Sequence, residues 1–191
     1  MARYRYPRYM RSYRRGSMPR AGQAVLAVGV AAMLAGAGHT VTARAGTHHH
    51  GAPARTAVVV QAISYARAQL GKPYCWGGTG ASCPNPPYTG YDCSGLVMMA
   101  YASAGVTIPR TTGTQWPALP HVPASQRRAG DLVYAPGADG TMASPGHVGL
   151  LIGRNTVEQA YATGYPINIV SLAAFGNGAG GIVGYARPGG A

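Results

Sequence analysis

Acidic residues are scarce in this chain: four Asp and Glu stand against sixteen Lys and Arg in 191 residues. A formal net charge of +12 suggests a nucleic-acid partner, but its distribution argues otherwise. Seven basic residues fall within the first twenty (Arg3, Arg5, Arg8, Arg11, Arg14, Arg15, Arg20) and Arg44 is the eighth. Residues 46–191 therefore hold eight basic and all four acidic residues, a balance of +4, which is too mild for a dedicated nucleic-acid binder. Long apolar runs are also lacking. The run at 24–38 has fifteen residues, short of the roughly 20 that cross a bilayer, so a polytopic membrane protein does not fit. No internal repeat and no second periodic pattern is present. What remains is one ordinary domain with a short appendage, 47% hydrophobic and rich in Gly and Pro without a collagen-like period.

The appendage reads as an address. A basic start followed by a short apolar run is the layout of a secretory signal, and Ala43-Arg44-Ala45 supplies small residues in the A-x-A spacing. Residues 1–45 are expected to be a signal cleaved before Gly46, with Arg14-Arg15 a weak pointer to twin-arginine export. Residues 46–56 read as a flexible linker. Its His48-His49-His50 run has three adjacent side chains pointing in different directions and no second ligand cluster nearby. No metal and no organic cofactor is expected.

Along the expected domain, 57–187, apolar residues at 58, 59, 60, 62, 63, 66 and 70 with Gly71 beyond them predict a helix over 57–70. Residues 71–91 are turn-rich. A second helix is predicted over 93–104, opened by Asp92 as N-cap, and 109–128 is polar and broken by Pro. Short strands are predicted at 131–135, 147–152, 156–162, 167–172 and 182–186, with Gly and Asn between them. Helices first and close strands afterwards mean an α+β fold with an antiparallel sheet. Residues 188–191 are left as a tail.

The three cysteines are Cys75, Cys83 and Cys93. An odd count in an exported chain leaves one thiol over. The most economical pairing joins Cys75 to Cys83 across a Pro/Gly loop and leaves Cys93 free. Cys93 is also placed like a nucleophile, in the first turn of a helix where unpaired N–H groups and the macrodipole favour thiolate. The small Ser94 and Gly95 would let a substrate approach the backbone. A buried structural thiol is the alternative reading. A nucleophilic Cys needs a base, and His147 opens an apolar strand where a lone His has no packing reason to be. His121, in a Pro-flanked stretch, is the rival.

The base in turn needs an orienting group. If 147–152 and 156–162 form a hairpin about Gly153-Arg154-Asn155, a three-residue turn pairs Ile152 with Thr156. Gln159 then falls opposite Gly149, diagonal to His147 on the same face; a register centred on Gly153 puts it directly opposite His147. Either even register sends Glu158 to the other face, and an odd one reverses the choice, because a one-residue slip flips every side chain. Gln159 is the preferred orienter and Glu158 the runner-up.

The runs Gly71-Lys72-Pro73-Tyr74-Cys75-Trp76-Gly77-Gly78 and Tyr91-Asp92-Cys93-Ser94-Gly95-Leu96-Val97 are followed by Pro109-Arg110-Thr111-Thr112 with Gln115. Gly130-Asp131-Leu132-Val133 and Gly146-His147-Val148-Gly149 come next. Together and in this order they resemble the NlpC-type papain-like cysteine peptidases of bacterial cell walls. The resemblance covers roughly residues 57–187 and implies a papain-like α+β fold, with N-terminal helices packed on a central antiparallel sheet. It implies Cys93 as nucleophile, His147 as base, Gln159 at the third position and Tyr74 as the hydroxyl that approaches the Cys and helps bind the oxyanion. Residues 81–90, with Cys83, look like an insertion, and Glu158 stands where the family is usually apolar. Tyr74 and Trp76 read otherwise as packing aromatics, and the motif context favours a site role for Tyr74 over Trp76.

The implied function is that of a secreted or wall-associated monomeric endopeptidase, cutting peptidoglycan stem peptides or cross-bridges, with the bond after D-glutamate and before the diamino acid favoured. No nucleic-acid partner and no membrane span after signal cleavage are expected. The alternatives are a related thiol amidase, transpeptidase or acyltransferase, and a non-catalytic wall-binding module.

Overall fold

Asp92 decides where the central helix starts. Its backbone is extended and its side chain accepts from the Gly95 N–H, which opens α2 (Cys93–Ala102) at the cysteine. The computed structural model of the protein describes residues 52–80, 83 and 89–189. Before α2 comes α1 (Ala52–Arg67), and after it α3 (Thr112–Ala118), capped by Thr111 through a reciprocal capping box. The strands follow as β1 (His121–Val122), β2 (Leu132–Ala135), β3 (His147–Gly153), β4 (Thr156–Gln159) and β5 (Asn168–Ser171); then come α4 (Leu172–Gly178), with Ser171 as N-cap, and β6 (Gly184–Ala186). Among the described residues these are four α-helices and one six-stranded sheet in the order β1-β6-β2-β3-β4-β5, every pairing antiparallel.

Alternation along the strands sorts the core into two faces. Leu132, Tyr134, Val148 and Leu150 pack with Ala62, Ala66, Leu96, Val97 and Ala100 of α1 and α2. Val133, Ala135, Leu151 and Val157 pack with Leu172 and Phe175 of α4. Each fully buried Leu or Val contributes about 1.5–3 kcal/mol, so the sheet is held by both layers. This is the expected α+β arrangement of N-terminal helices on a central antiparallel sheet.

The sequence misplaced several boundaries. The first helix begins at Ala52, inside the stretch expected to be linker, and ends at Arg67, with turns over 68–71. The strand expected over 156–162 stops at Gln159. The polar stretch 109–128 holds α3, which carries an internal Pro117. Residues 172–178, Gly- and Ala-rich, form α4 because Ser171 caps the Ala174 N–H. The proposed signal 1–45, Arg14-Arg15, the His48–His50 run, residues 190–191 and most of the insertion at 81–90 lie outside the described residues. No described helix is long and apolar enough to cross a membrane, and no described group of three or more His, Cys, Asp or Glu is arranged to hold a metal ion.

Candidate active site

The site is built on the start of α2. Asp92 Oδ1 accepts from the Gly95 N–H at 2.6 Å and from the Ser94 hydroxyl at 3.2 Å, and Oδ2 accepts from the Gly77 N–H at 3.0 Å. Arg110 closes on the same carboxylate from two nitrogens, Nη1 to Oδ1 at 3.0 Å and Nη2 to Oδ2 at 2.7 Å. A forked guanidinium pair of this kind fixes geometry as well as charge. Asp92 thus ties three segments together: the loop before the helix, the helix start and the 109–112 segment. Gln115 of α3 is fully buried and donates to Ser94 O and Pro109 O, at 3.2 and 2.8 Å, which pins α3 to the same turn.

Ser94 and Gly95 also serve the packing of the helix start. A Cβ on Gly95 would stand 2.2 Å from Gly78 O, so the glycine admits the neighbouring loop, and the Ser94 hydroxyl is engaged by Asp92 and Arg110.

Cys93 is free and buried, with 8% of its surface exposed. Its Sγ lies 3.7 Å from Thr112 Oγ1 and 3.9 Å from Gly146 O. Burial pushes the thiol up, and the Asp92 charge adds to that, while hydrogen bonds from Thr112 and from the backbone of Val148 and Ser94 pull it down. The helix start alone was expected to favour thiolate; burial and the Asp92 charge act against it. Gly146 and Val148 flank His147, so the cysteine meets the first residues of β3.

His147 is buried, and burial lowers its pKa against the opposing Gln159 hydrogen bond. Its Nε2 lies 2.9 Å from Gln159 Oε1. An amide oxygen only accepts, so a neutral imidazole in this contact carries its proton on Nε2 and keeps a lone pair on Nδ1. The Gln159 amide nitrogen donates to Asn168 Oδ1 at 3.3 Å. Phe175 of α4 stacks on the imidazole with centroids 5.0 Å apart, and Tyr161 meets it edge-on at 5.7 Å. Two rings and one amide therefore hold the ring in place.

Tyr74 is buried on the loop before α2. Burial pushes its hydroxyl up, the charges of Cys93, Asp92 and Asp139 add to this and Arg110 opposes it, so the group stays a donor. Its neighbour Cys75 is disulfide-bonded to Cys83, Cα atoms 5.8 Å apart, and Cys93 is left free, as the pairing argument expected. Trp76 is 71% exposed and packs in no core.

Two runner-up residues fall elsewhere. His121 is on edge strand β1, stacked on Trp116 with its Nε2 2.9 Å from the Trp116 carbonyl oxygen. Glu158 is fully buried opposite Leu150, and neither carboxylate oxygen has a hydrogen-bond partner. The sequence reading gave no role to Thr112, Asn168, Tyr161 or Phe175. Thr112 was within reach as the residue after a capping threonine; the other three come from pairings that cross strands and helices.

Residues 71–174 match the model of the NlpC/P60 family. The peptidoglycan endopeptidase RipB of Mycobacterium tuberculosis is 39% identical over 111 residues, which cover 52% of this chain and 44% of RipB. The chain thus spans less than half the length of that relative. The solved structure of the peptidoglycan hydrolase RipB superposes with a TM-score of 0.60 at 28% identity, over 77% of this chain and 72% of that one. RipD of the same organism, described as a non-catalytic NlpC/p60 domain protein adapted to peptidoglycan binding, superposes with a TM-score of 0.54 at 26% identity, over 68% of this chain and 96% of RipD.

Proposed function

The chain belongs to the NlpC/P60 family, and from that premise we propose that it is a secreted cysteine endopeptidase that hydrolyses peptide bonds of peptidoglycan. The observation that carries this reading is the free Cys93 against the two residues flanking His147, with Gln159 Oε1 2.9 Å from that histidine's Nε2.

In the proposed cycle, Nδ1 of His147 takes the Cys93 proton as Sγ bonds to the substrate carbonyl carbon. Burial disfavours thiolate and imidazolium separately, so forming them as a pair is less costly than forming either alone. The carbonyl electron pair moves to oxygen, where the Tyr74 hydroxyl and the Cys93 backbone N–H donate to it. One such donor is typically worth about 10²–10³ in kcat. The C–N bond then breaks, His147 gives its proton to the leaving amine, and an acyl-thioester remains. Water, losing a proton to His147, attacks that thioester. The carboxylate product leaves and Cys93 regains its proton.

The favoured bond lies between D-glutamate and the following diamino acid. Asp92 and Asp131 are paired with Arg110 and Arg187, and Glu158 is buried. Asp139 is the exposed carboxylate, on the loop that leads into His147, and its charge reaches Tyr74. A carboxylate there suits the ammonium of a diamino acid. Residues 1–45 act as the export signal in this reading, which places the mature enzyme at the wall.

Mass spectrometry of muropeptides after digestion by wild type and by Cys93→Ala tests the proposal. New stem-peptide fragments with wild type and none with the variant are expected; equal cleavage by both removes the mechanism. A wall-binding module like RipD would leave the fragments intact and bind them. Labelling of Cys93 by a thiol-reactive electrophile near neutral pH separates that case.

A further inference from the structure

Gln159 and Asn168 stand directly opposite one another in the β4–β5 pairing, and their side chains form the outer end of a chain that begins at His147. Gln159 offers its oxygen to His147 Nε2 at 2.9 Å and its nitrogen to Asn168 Oδ1 at 3.3 Å. This arrangement bears on a weakness of an amide as orienting group. A carboxylate presents an acceptor whichever way it turns. An amide has one accepting end and one donating end, of nearly the same shape. Turned over, Gln159 would present its NH₂ to Nε2. That nitrogen would then have to accept, the imidazole proton would move to Nδ1, and the nitrogen needed to deprotonate Cys93 would be blocked.

Gln159 and His147 are both buried, so water does not rescue a wrongly turned amide. The half-exposed Asn168 accepts through its side-chain oxygen from the NH₂ end of Gln159, and a turned amide would face that oxygen with a second carbonyl oxygen instead. Asn168 therefore selects the orientation in which Oε1 faces the histidine. Pulling on the NH₂ end also polarises the amide and makes Oε1 a better acceptor, which partly offsets the missing negative charge.

We propose that Asn168 is a positioning residue: its side-chain carbonyl locks the Gln159 amide and thereby holds the His147 proton on Nε2, leaving Nδ1 free toward Cys93. This rests on the thiol-peptidase reading above, but it has a consequence that needs no substrate, the tautomer of His147.

The test uses the full chain with Asn168→Ala, Asn168→Asp and Gln159→Glu, alone and combined. A positioned base is worth on the order of 10²- to 10⁴-fold, and partial loss of its tautomer should cost roughly 3- to 30-fold in kcat for Asn168→Ala, with KM little changed. Asn168→Asp, which keeps an acceptor facing the NH₂, should recover most of that loss. In the Gln159→Glu background there is no amide to orient, so adding Asn168→Ala should cost less than about 2-fold. ¹⁵N shifts of the His147 ring should show Nδ1 gaining proton in Asn168→Ala and not in Asn168→Asp. Equal losses in the Gln159 and Gln159→Glu backgrounds, or an unchanged tautomer in Asn168→Ala, would overturn the proposal. If wild type cleaves no muropeptide, the peptidase reading fails while the tautomer measurement still decides the role of Asn168. Asn168→Asp, which preserves size, decides it should Asn168→Ala melt the β5 edge.

Discussion

Leu150 stands directly opposite Glu158, and that pairing puts Gln159 rather than Glu158 on the face of the sheet that carries His147. The turn itself points the other way. Gly153 pairs with Thr156 across Arg154-Asn155, a tighter turn than the three-residue one expected from the sequence, and continued regularly it would place Glu158 opposite Leu151. An irregularity between Leu151 and Gly153 absorbs one residue and restores the even register.

The first prediction follows from this pairing. Gln159→Ala should lower kcat/KM by roughly 10- to 100-fold, a part of what a positioned base supplies. Glu158→Ala should act mainly on stability. Gln159→Glu should recover much of the Gln159→Ala loss, because a carboxylate accepts the same N–H and favours imidazolium. Steady-state kinetics of the three variants on one peptide checks the order. A crippled Glu158→Ala beside a near-normal Gln159→Ala would reverse the assignment.

Glu158 also makes a pH-dependent prediction. Burial pushes its pKa up to about 7, with Arg67 opposing, against an unfolded value of about 4.3. At low pH the carboxyl is neutral in both states and costs nothing in charge. As pH rises from about 4 to 7, the unfolded chain ionises first and the fold loses stability, in full above about 7. Glu158→Gln removes the ionisation and should stabilise the protein at pH 8 by up to about 3 kcal/mol, since each pKa unit is worth about 1.4 kcal/mol. The gain should shrink at pH 5. Denaturant melts of both proteins at the two pH values measure it; a gain independent of pH would mean that Glu158 ionises in the fold as it does in the unfolded chain, and that burial does not raise its pKa.

The bridge between Cys75 and Cys83 closes a loop of eight residues' separation. By the loop-entropy relation it should contribute about 2–3 kcal/mol. Replacing both by serine should lower stability by that amount and reduce kcat as well, since Cys75 adjoins Tyr74 on the loop whose Gly77 N–H is held by Asp92. Peptide mapping without reductant should find Cys93 unpaired. A bridge to Cys93 contradicts both the pairing and the mechanism.

Asp139 gives a prediction about substrate. Asp139→Asn should raise KM several-fold for a stem peptide whose diamino acid carries a free amine, with kcat nearly unchanged. Acetylating that amine should weaken wild type and leave the variant indifferent. If acetylation affects both equally, the exposed carboxylate is not what meets the amine.

Much of the site was legible along the chain. Cys93 follows an N-cap aspartate, and the N-cap fixes where a helix starts through bonds spanning three residues. His147 interrupts an apolar strand, and a period of two fixes which residues share its face. The cysteine pairing was legible from number and spacing. These features depend on neighbours within a turn or a strand.

What the chain alone did not determine depends on distant segments. Residues 172–178 carry too little apolar pattern to read as a helix, yet they form one when Leu172 and Phe175 find the far face of the sheet, and that packing lays Phe175 on His147. Asn168 meets Gln159 only because β5 pairs with β4. The helix start favours thiolate at Cys93, but the burial that pushes the thiol up is set by the layers that close around it and is not written in the local sequence. The choice between Gln159 and Glu158 turned on a single absorbed residue in β3. Alternation in a strand is a property of sequence, but its phase relative to the next strand is set by the backbone hydrogen bonds between them, and those form only in the assembled sheet.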